Sequence, residues 1–477
     1  NASKLVFNGT PNSRVELQVS SSGTNTQSVY LKTESGTQNV SIGGGSTDLT
    51  EFTITDQWVR YTHTGGGNYP RILCSDAATI YAWGCQYEVG SYATSYIPTN
   101  GSIATRLADV ANNSGNSSLI NSTEGVLYAE IAALADGTNQ RWIAIGSGSN
   151  ANRVSIHFNA ANRISCSVRG SSSAIYDSNY NIGSQTNNSK VAIRYKDLDF
   201  AFFVNGVKVD SQTSGTLNFN AALDTLSFDS ADGGSKFIGK AKTLAVYKEA
   251  LTDASLRCLT YPNPVATTFD LDFDTIAEQF TFTRGSEATF VNEQGLIEST
   301  NQIGSELVTN GNFDTDSNWS KGTGWSIENG IATLDGTQTS GSSLGSNIMS
   351  VVSGKTYKIV VNVLSTSSGF RLYDSDGVLD YSLSVGENVF YKTVSSSSYQ
   401  VTPLGLSGTT GSIDNVSVKE HITATNTPRI DYSTGEKAFL LEPQSTNLIP
   451  YSSDFSSLNL RSNAVVTNNE VVSPSGD

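Results

Sequence analysis

Apolar and polar residues alternate with a period of two along most of the chain. Val154, Ile156 and Phe158 share one face of a strand; after a short Asn-bounded turn, Ile164, Cys166 and Val168 return. Val191, Ile193 and Tyr195 repeat the pattern. Phe200, Phe202 and Val204 then run up to Asn205-Gly206, and Val207 and Val209 resume beyond it. Asn-Gly between alternating runs predicts a two-residue hairpin, because both residues tolerate the positive φ of a type I′ turn. Tyr357, Ile359, Val361 and Val363 mark one more strand. Helical spacing is nearly absent: the best candidate is 252–259, where Thr252 caps a turn or two and Leu256 and Leu259 face inward. The pattern predicts an all-β chain of tandem antiparallel β-sandwiches (jelly rolls) joined by extended connectors, with at most one or two short helices.

Composition places the joints. Residues 99–120 are polar and rich in Asn and Ser, with Ile103, Leu107 and Val110 too sparse for a core. Pro262 and Pro264 close the next block, and Pro428 and Pro443 bracket a third boundary. The expected division is a jelly-roll module at 1–98 lacking its first strands, a connector at 99–120 and a sandwich at 121–264. A connector at 265–303, a jelly roll at 304–421 and a connector at 422–445 follow. Residues 446–477 resemble the opening of a further module: Asn447-Leu448-Ile449 through Asp454-Phe455 parallels Leu307-Val308-Thr309 through Asn312-Phe313.

The two ends are therefore read as halves of one folded unit. Leu448, Ile449, Phe455, Val465 and Val466 form an apolar assembly segment that completes residues 1–98 of the next copy or repeat. The joining is either covalent, in a longer polypeptide, or by strand donation between copies. Donation without closure makes a head-to-tail fibre. Against this stands the plainer reading that the ends mark only where the chain is cut. The chain opens with Asn1 and its sole methionine is Met349, so it reads as a processed product or a piece of something longer, without a signal-peptide pattern.

Charge narrows the partners. The chain has 477 residues and a formal charge of −15, and only 15% of its residues are charged, against about 25% ordinarily. An acidic, Lys-poor surface of Ser, Thr, Asn and Gly argues against nucleic acid, which needs a basic footprint. No stretch reaches the ~20 apolar residues of a membrane span, so membrane insertion is not expected. Cys74, Cys85, Cys166 and Cys258 allow three pairings. Cys74 and Cys85 flank Ile80 to Trp83 at hairpin-like separation and are a disulfide candidate; Cys166, on the apolar face of its strand, reads as a buried thiol. No Cys-x-x-Cys pair occurs and His63, His157 and His421 are scattered, so zinc is not expected.

Three resemblances carry further. Residues 121–264 resemble a laminin-G-like or concanavalin-like jelly roll, on Gly125-Val126-Leu127-Tyr128-Ala129-Glu130, the Phe200-to-Val209 hairpin, and Leu244-Ala245-Val246-Tyr247 running into Ala250-Leu251-Thr252. Residues 304–421 resemble carbohydrate-binding jelly rolls of the galactose-binding-like kind, on Asn310-Gly311-Asn312-Phe313 and Asp414-Asn415-Val416. The connector strings Phe282-Thr283-Arg284-Gly285-Ser286-Glu287, Arg429-Ile430-Asp431-Tyr432 and Leu440-Leu441-Glu442-Pro443 resemble structural proteins of tailed bacteriophages, as does Ala82-Trp83-Gly84-Cys85 through Tyr96-Ile97-Pro98.

The resemblances imply a non-enzymatic fibre protein, extracellular or on a virion surface, whose partners are itself and cell-surface polysaccharide. A host-polysaccharide-binding adhesin is the alternative, and a polysaccharide-degrading enzyme a third reading. A sugar site wants an aromatic ring for the pyranose face, which nominates Trp319, Trp325, Tyr373 and Tyr391, with core packing the competing job for both tryptophans. Related jelly rolls hold a structural calcium between opening and closing strands, which here implicates Asn312 and Asp414; calcium wants six to eight oxygens. The Asp229-to-Gly234 loop is a second ion candidate, read rather as a turn. No catalytic residue is assigned: the histidines are dispersed and no phosphate-cradling glycine loop follows a strand. Asp270, Asp272 and Asp274 alternate along one face and read as solubilising a connector, while paired carboxylates of the glycosidase type stay open.

Overall fold

The computed structural model describes residues 2–137, 139–160, 162–262, 279–367, 369–375, 377–461 and 464–476. Asp270, Asp272 and Asp274 lie outside them. The chain forms two compact units, Asn1–Thr300 with Thr425–Asp477, and Asn301–Ala424. Both are built of antiparallel sheets, and the described residues include one α-helix, Asp253–Thr260. None is a helix long and apolar enough to cross a membrane.

The first unit contains two sandwiches. In the front one, a sheet ordered Val465–Val471, Ala2–Asn8, Ala77–Val89, Asn25–Thr33, Val59–Gly65 faces another ordered Asn459–Arg461, Arg14–Glu16, Arg71–Leu73, Gln38–Gly43, Leu49–Ile54. Alternate residues Leu5, Phe7, Val29, Leu31, Val40, Ile42 and Ile80 fill the space between. The edge strands of both sheets come from the far end of the chain. Ala2 lies opposite Val471 and Val6 opposite Val465, while Arg14 pairs Arg461. Ile449, Phe455 and Ala464 are buried in that core, Leu448 and Val466 are partly buried against it, and Val465 points outward. The segment expected to complete the next copy thus completes this copy's own front block, where an unpaired edge and an apolar gap would otherwise be exposed.

Cys74 and Cys85 form no bridge. Both are buried free thiols, as is Cys166. Cys74 directly follows the strand Arg71–Leu73 and Cys85 lies in Ala77–Val89, strands of opposite sheets, so the segment between them crosses the sandwich instead of turning back as a hairpin. Burial pushes the Cys85 thiol up to about 12 despite a hydrogen bond from Gln27.

In the second sandwich of this unit, a seven-stranded sheet packs on a five-stranded one. The hairpin at Asn205-Gly206 forms as the sequence predicts, with φ of 47° and 81° at the two turn residues. The helix is capped by Thr252, whose hydroxyl accepts from the Ser255 amide, and it buries Leu256 and Leu259 against Val126, Ala192 and Phe203. Residues 422–445, expected as a connector, supply the strands Ile430–Asp431 and Ala438–Leu441 that extend the seven-stranded sheet. The other connectors pair too: Val110–Asn112 with Thr281–Thr283, and Ala104–Arg106 with Ser445–Asn447.

A buried charge cluster ties these connectors together. Arg106, Arg284 and Arg429 are almost wholly buried, as are Asp109 and Glu442. Arg284 Nη1 bonds Asp109 Oδ1 at 2.9 Å, Arg429 bridges Asp109 and Glu442, and Arg106 Nη1 lies 3.0 Å from Glu442. Ser95 donates to both oxygens of Glu442, from its amide and its hydroxyl. Burial alone would raise the Glu442 carboxyl; Arg106, Arg429 and Ser95 outweigh it and hold it at about 2. Burial lowers Arg284, whereas for Arg429 it is outweighed by Glu442 and Asp109. Ion pairs so deeply buried hold only when each charge finds a partner, and here three arginines share two carboxylates, so the connectors are fixed parts of the fold.

The second unit is a jelly roll of its own. A six-stranded sheet, including Trp325–Glu328, Ile331–Asp335, Thr356–Thr366, Gly386–Thr393 and Thr410–Ile422, faces a five-stranded sheet that includes Ser342–Gly345, Phe370–Asp374 and Val401–Gly405. Tyr357, Ile359, Val361 and Val363 point into its core, as their spacing predicts.

Candidate functional site

The five-stranded sheet of the second sandwich, ordered Ser173–Asn181, Arg163–Gly170, Arg153–Ala160, Arg141–Gly146, Thr225–Ser227, has two unlike faces. Ile143, Ile145, Val154, Ile156, Phe158, Ile164, Cys166 and Val168 point into the core. Because side chains alternate, the residues between them point outward, and most of these are polar. One cross-strand row reads Trp142, His157, Ser165, Asn179; the next Ala144, Ser155, Ser167, Asp177; the third Gly146, Arg153, Arg169. Arg163 opens its strand, exposed to solvent.

Large side chains close over the small ones on this face. The His157 ring stacks on Trp142 at 3.6 Å with 7° between planes, and the Arg153 guanidinium lies 4.3 Å from the Trp142 ring centre, a cation–π distance. Beneath and beside them, Arg153 Nε, Arg169 Nε, His157 Nδ1, Asn159 Oδ1, Ser165 Oγ and Ser167 Oγ are buried without a hydrogen-bond partner among the described residues. Each such atom costs about 1–3 kcal/mol, so six on one sheet face is a concentration that needs a reason. Burial pushes the His157 imidazole down to about 3, with Arg153 and Arg169 adding to the effect. It is neutral at physiological pH, and the positive charge of the face belongs to its arginines.

These residues were missed in the sequence, yet the signal was there. Arg153-Val-Ser155-Ile-His157 and Arg163-Ile-Ser165-Cys-Ser167-Val-Arg169 are the polar halves of the same alternations whose apolar halves announced the strands.

The nominated residues of the second unit do not form one site. Trp319 and Trp325 are core residues and are withdrawn as stacking platforms. Trp319 packs on Phe313 and donates to Asn310 O at 2.9 Å, and Trp325 stacks on Phe370 and donates to Ser342 O at 3.2 Å. Tyr391 is 51% exposed on the six-stranded sheet, across from Lys358 and edge-on to His421. Tyr373 is on the opposite, five-stranded sheet.

The Asn312 and Asp414 segments do meet, through the Val416 amide donating to Gly311 O at 2.9 Å. Their side chains turn elsewhere: Asn312 Nδ2 donates to Asp314, and Asp414 accepts from the Asn415 amide and side chain. As placed, the pair does not fit a calcium ion. Among the described residues no group of three or more His, Cys, Asp or Glu is placed to hold a metal. The 229–234 loop is a turn: Asp229 Oδ1 accepts from the Ala231 amide and Asp232 Oδ1 from the Gly234 amide. Gly341-Ser342-Ser343-Leu344-Gly345 matches the letters of a nucleophile elbow, but Ser343 is on a strand, Ser342–Gly345, and not at a strand-to-helix turn.

A cleft of about 310 Å³ also opens in the first unit, where Tyr92, Arg141, Asn139, Gln140 and Gln444 converge. Arg141 is held in place by Ala135 O and Gln185 Oε1. Burial, reinforced by Glu442, pushes the Tyr92 hydroxyl up to about 12, so it stays a neutral donor.

Residues 127–257 match the laminin-G-type family described as the concanavalin A-like lectin/glucanases superfamily. The polar sheet face above therefore belongs to a laminin-G/concanavalin-like jelly roll. No curated protein matches the chain. Among solved structures, the Ruminococcus gnavus IT-sialidase CBM40 is similar at 12% identity, covering 33% of this chain and 98% of its own, with a TM-score of 0.27. A heptameric SAP-like pentraxin from Limulus polyphemus is similar at 12% identity, 42% and 92% coverage and a TM-score of 0.27. Domains LG4-5 of the mouse laminin alpha1 chain are similar at 9% identity, 51% and 88% coverage and a TM-score of 0.24.

Proposed function

We propose that this chain is an extracellular glycan-binding protein that holds polysaccharide without cleaving it. The observation that carries the reading is the outward face of the Arg141-to-Asn181 strands, where Trp142, His157 and Arg153 stack beside hydroxyls and guanidinium Nε atoms that lack partners among the described residues. It sits within the segment that matches the lectin/glucanase superfamily. Sheet-borne polar groups are held rigidly by the ladder beneath them, which favours recognition of a defined pattern of sugar oxygens. The test is a polysaccharide array probed with the full chain, with reducing ends assayed in parallel. Binding without release of reducing ends is expected, and it should weaken when Arg163 and Arg169 are both changed to Gln. Cleavage of any bound polymer would replace this reading with an enzymatic one.

A second reading, a head-to-tail fibre on a virion or cell surface, is favoured by one feature. The front sandwich takes an edge strand of each sheet from the far end of the chain. A neighbouring copy can offer the same strands in the same register, an exchange that costs little in contacts. Lys4 and Thr467 are cross-strand partners on that edge. Oxidising the double variant Lys4→Cys, Thr467→Cys should give a ladder of linked chains if strands are exchanged. A single closed monomer rules the fibre out.

A further inference from the structure

We infer that the ligand of this sheet face is an acidic saccharide, one whose carboxylate or sulfate oxygens sit between Arg153 and Arg169. The inference rests on the glycan-binding reading above and adds the charge class.

Arg153 and Arg169 are directly opposed residues of neighbouring strands. Like charges so placed repel unless something lies between them. The protein supplies only partial relief. Arg169 has Asp177 at 4.0 Å, the limit of an ion pair; Arg153 has the Ser230 carbonyl at 3.3 Å, and the charges of Asp232 and Asp177 act on it. Neither Nε has an acceptor among the described residues, and two hydroxyls of the same face, Ser165 and Ser167, are also without partners. A planar carboxylate or a sulfate supplies several strong acceptors at once, and guanidinium forks match that geometry. A neutral sugar would add nothing to that partial relief. Arg163, exposed on the strand that carries Arg169, extends the positive row along a polymer.

The whole chain carries −15, so long-range attraction does not bring an acidic polymer to it. The recognition is local, within the Debye length of roughly 8–10 Å at physiological salt. Arg169 is the residue best placed to respond, because 37% of its side chain is exposed while its Nε is buried.

The experiment is calorimetric titration of the full chain with three polymers: neutral dextran, dextran sulfate and hyaluronan, the last carrying carboxylates alone. At least tenfold tighter binding of one acidic polymer than of dextran is expected, and which one identifies the anion. Arg169→Gln should lose at least tenfold for that polymer, and Arg169→Lys less. Arg153→Gln should behave as Arg169→Gln; if its melting curve shows a damaged fold, the exposed Arg169 variants decide. Dextran bound as tightly as the acidic polymers, or Arg169→Gln binding like the parent, overturns the charge inference and leaves the glycan reading standing. Failure of all three polymers, and of the array, overturns both.

Discussion

At the scale of single residues, the informative side chains are those that burial has stripped of solvent. His157 is held near 3 against an ordinary 6.5, and Glu442 near 2 against 4.5. Both folded values are depressed, so both groups give stability that is complete above the unfolded value. It is lost as pH falls, because the unfolded chain takes up protons that the folded chain refuses. The windows differ: His157 acts from about 6.5 downward, Glu442 only from about 4.5 downward. At about 1.4 kcal/mol for each pH unit below the unfolded value, His157 withholds about 2–3 kcal/mol by pH 4.5. His157→Gln should therefore flatten denaturant stability between pH 6.5 and 4.5 while leaving the steeper loss below 4.5. An unchanged slope in the upper window would mean that His157 is not the buried neutral group described.

At the scale of elements, period-two alternation was enough to place the core strands and the Asn205-Gly206 hairpin, and helical spacing after a Thr252 cap placed the short helix. Each depends on local spacing alone. What stayed hidden depends on pairing across hundreds of residues. Nothing near Arg106, Arg284 or Arg429 announces that they converge on Asp109 and Glu442. Cys74 and Cys85 looked like hairpin neighbours because sequence separation does not reveal which sheet a strand joins. The tail was legible as the missing half of residues 1–98, but not that it closes on its own copy. Removing residues 458–477 tests that pairing: it takes away the strands Asn459–Arg461 and Val465–Val471 and the buried Ala464. At about 1 kcal/mol per ladder bond plus the apolar area, the front sandwich should lose on the order of 5 kcal/mol. Hydrogen exchange should show amides 2–8 losing protection, while strands at 127–257 keep theirs. Full protection at 2–8 would mean that the tail is dispensable.

At the scale of the whole molecule, a chain with few charges places several of them inside one unit, where they fix connectors that composition alone marked as loose. The other unit takes no part in that cluster. Asn301–Ala424 is an insertion that starts and ends side by side: Gln302 pairs Ile422, and the Ala424 amide donates to the Asn301 side chain at 3.1 Å. It has a core of its own, and among the described residues no sheet of the first unit takes a strand from it. Adjacent ends and a private core are the conditions under which a segment folds alone. Residues 301–424 expressed by themselves should therefore give one cooperative melt, matching a transition of the full chain within a few degrees. The remainder, with 300 joined to 425 by a short glycine linker, should keep the other transitions. If the excised segment melts broadly or far lower, its core is incomplete, and the exposed Tyr391 face should be tested only in the intact chain.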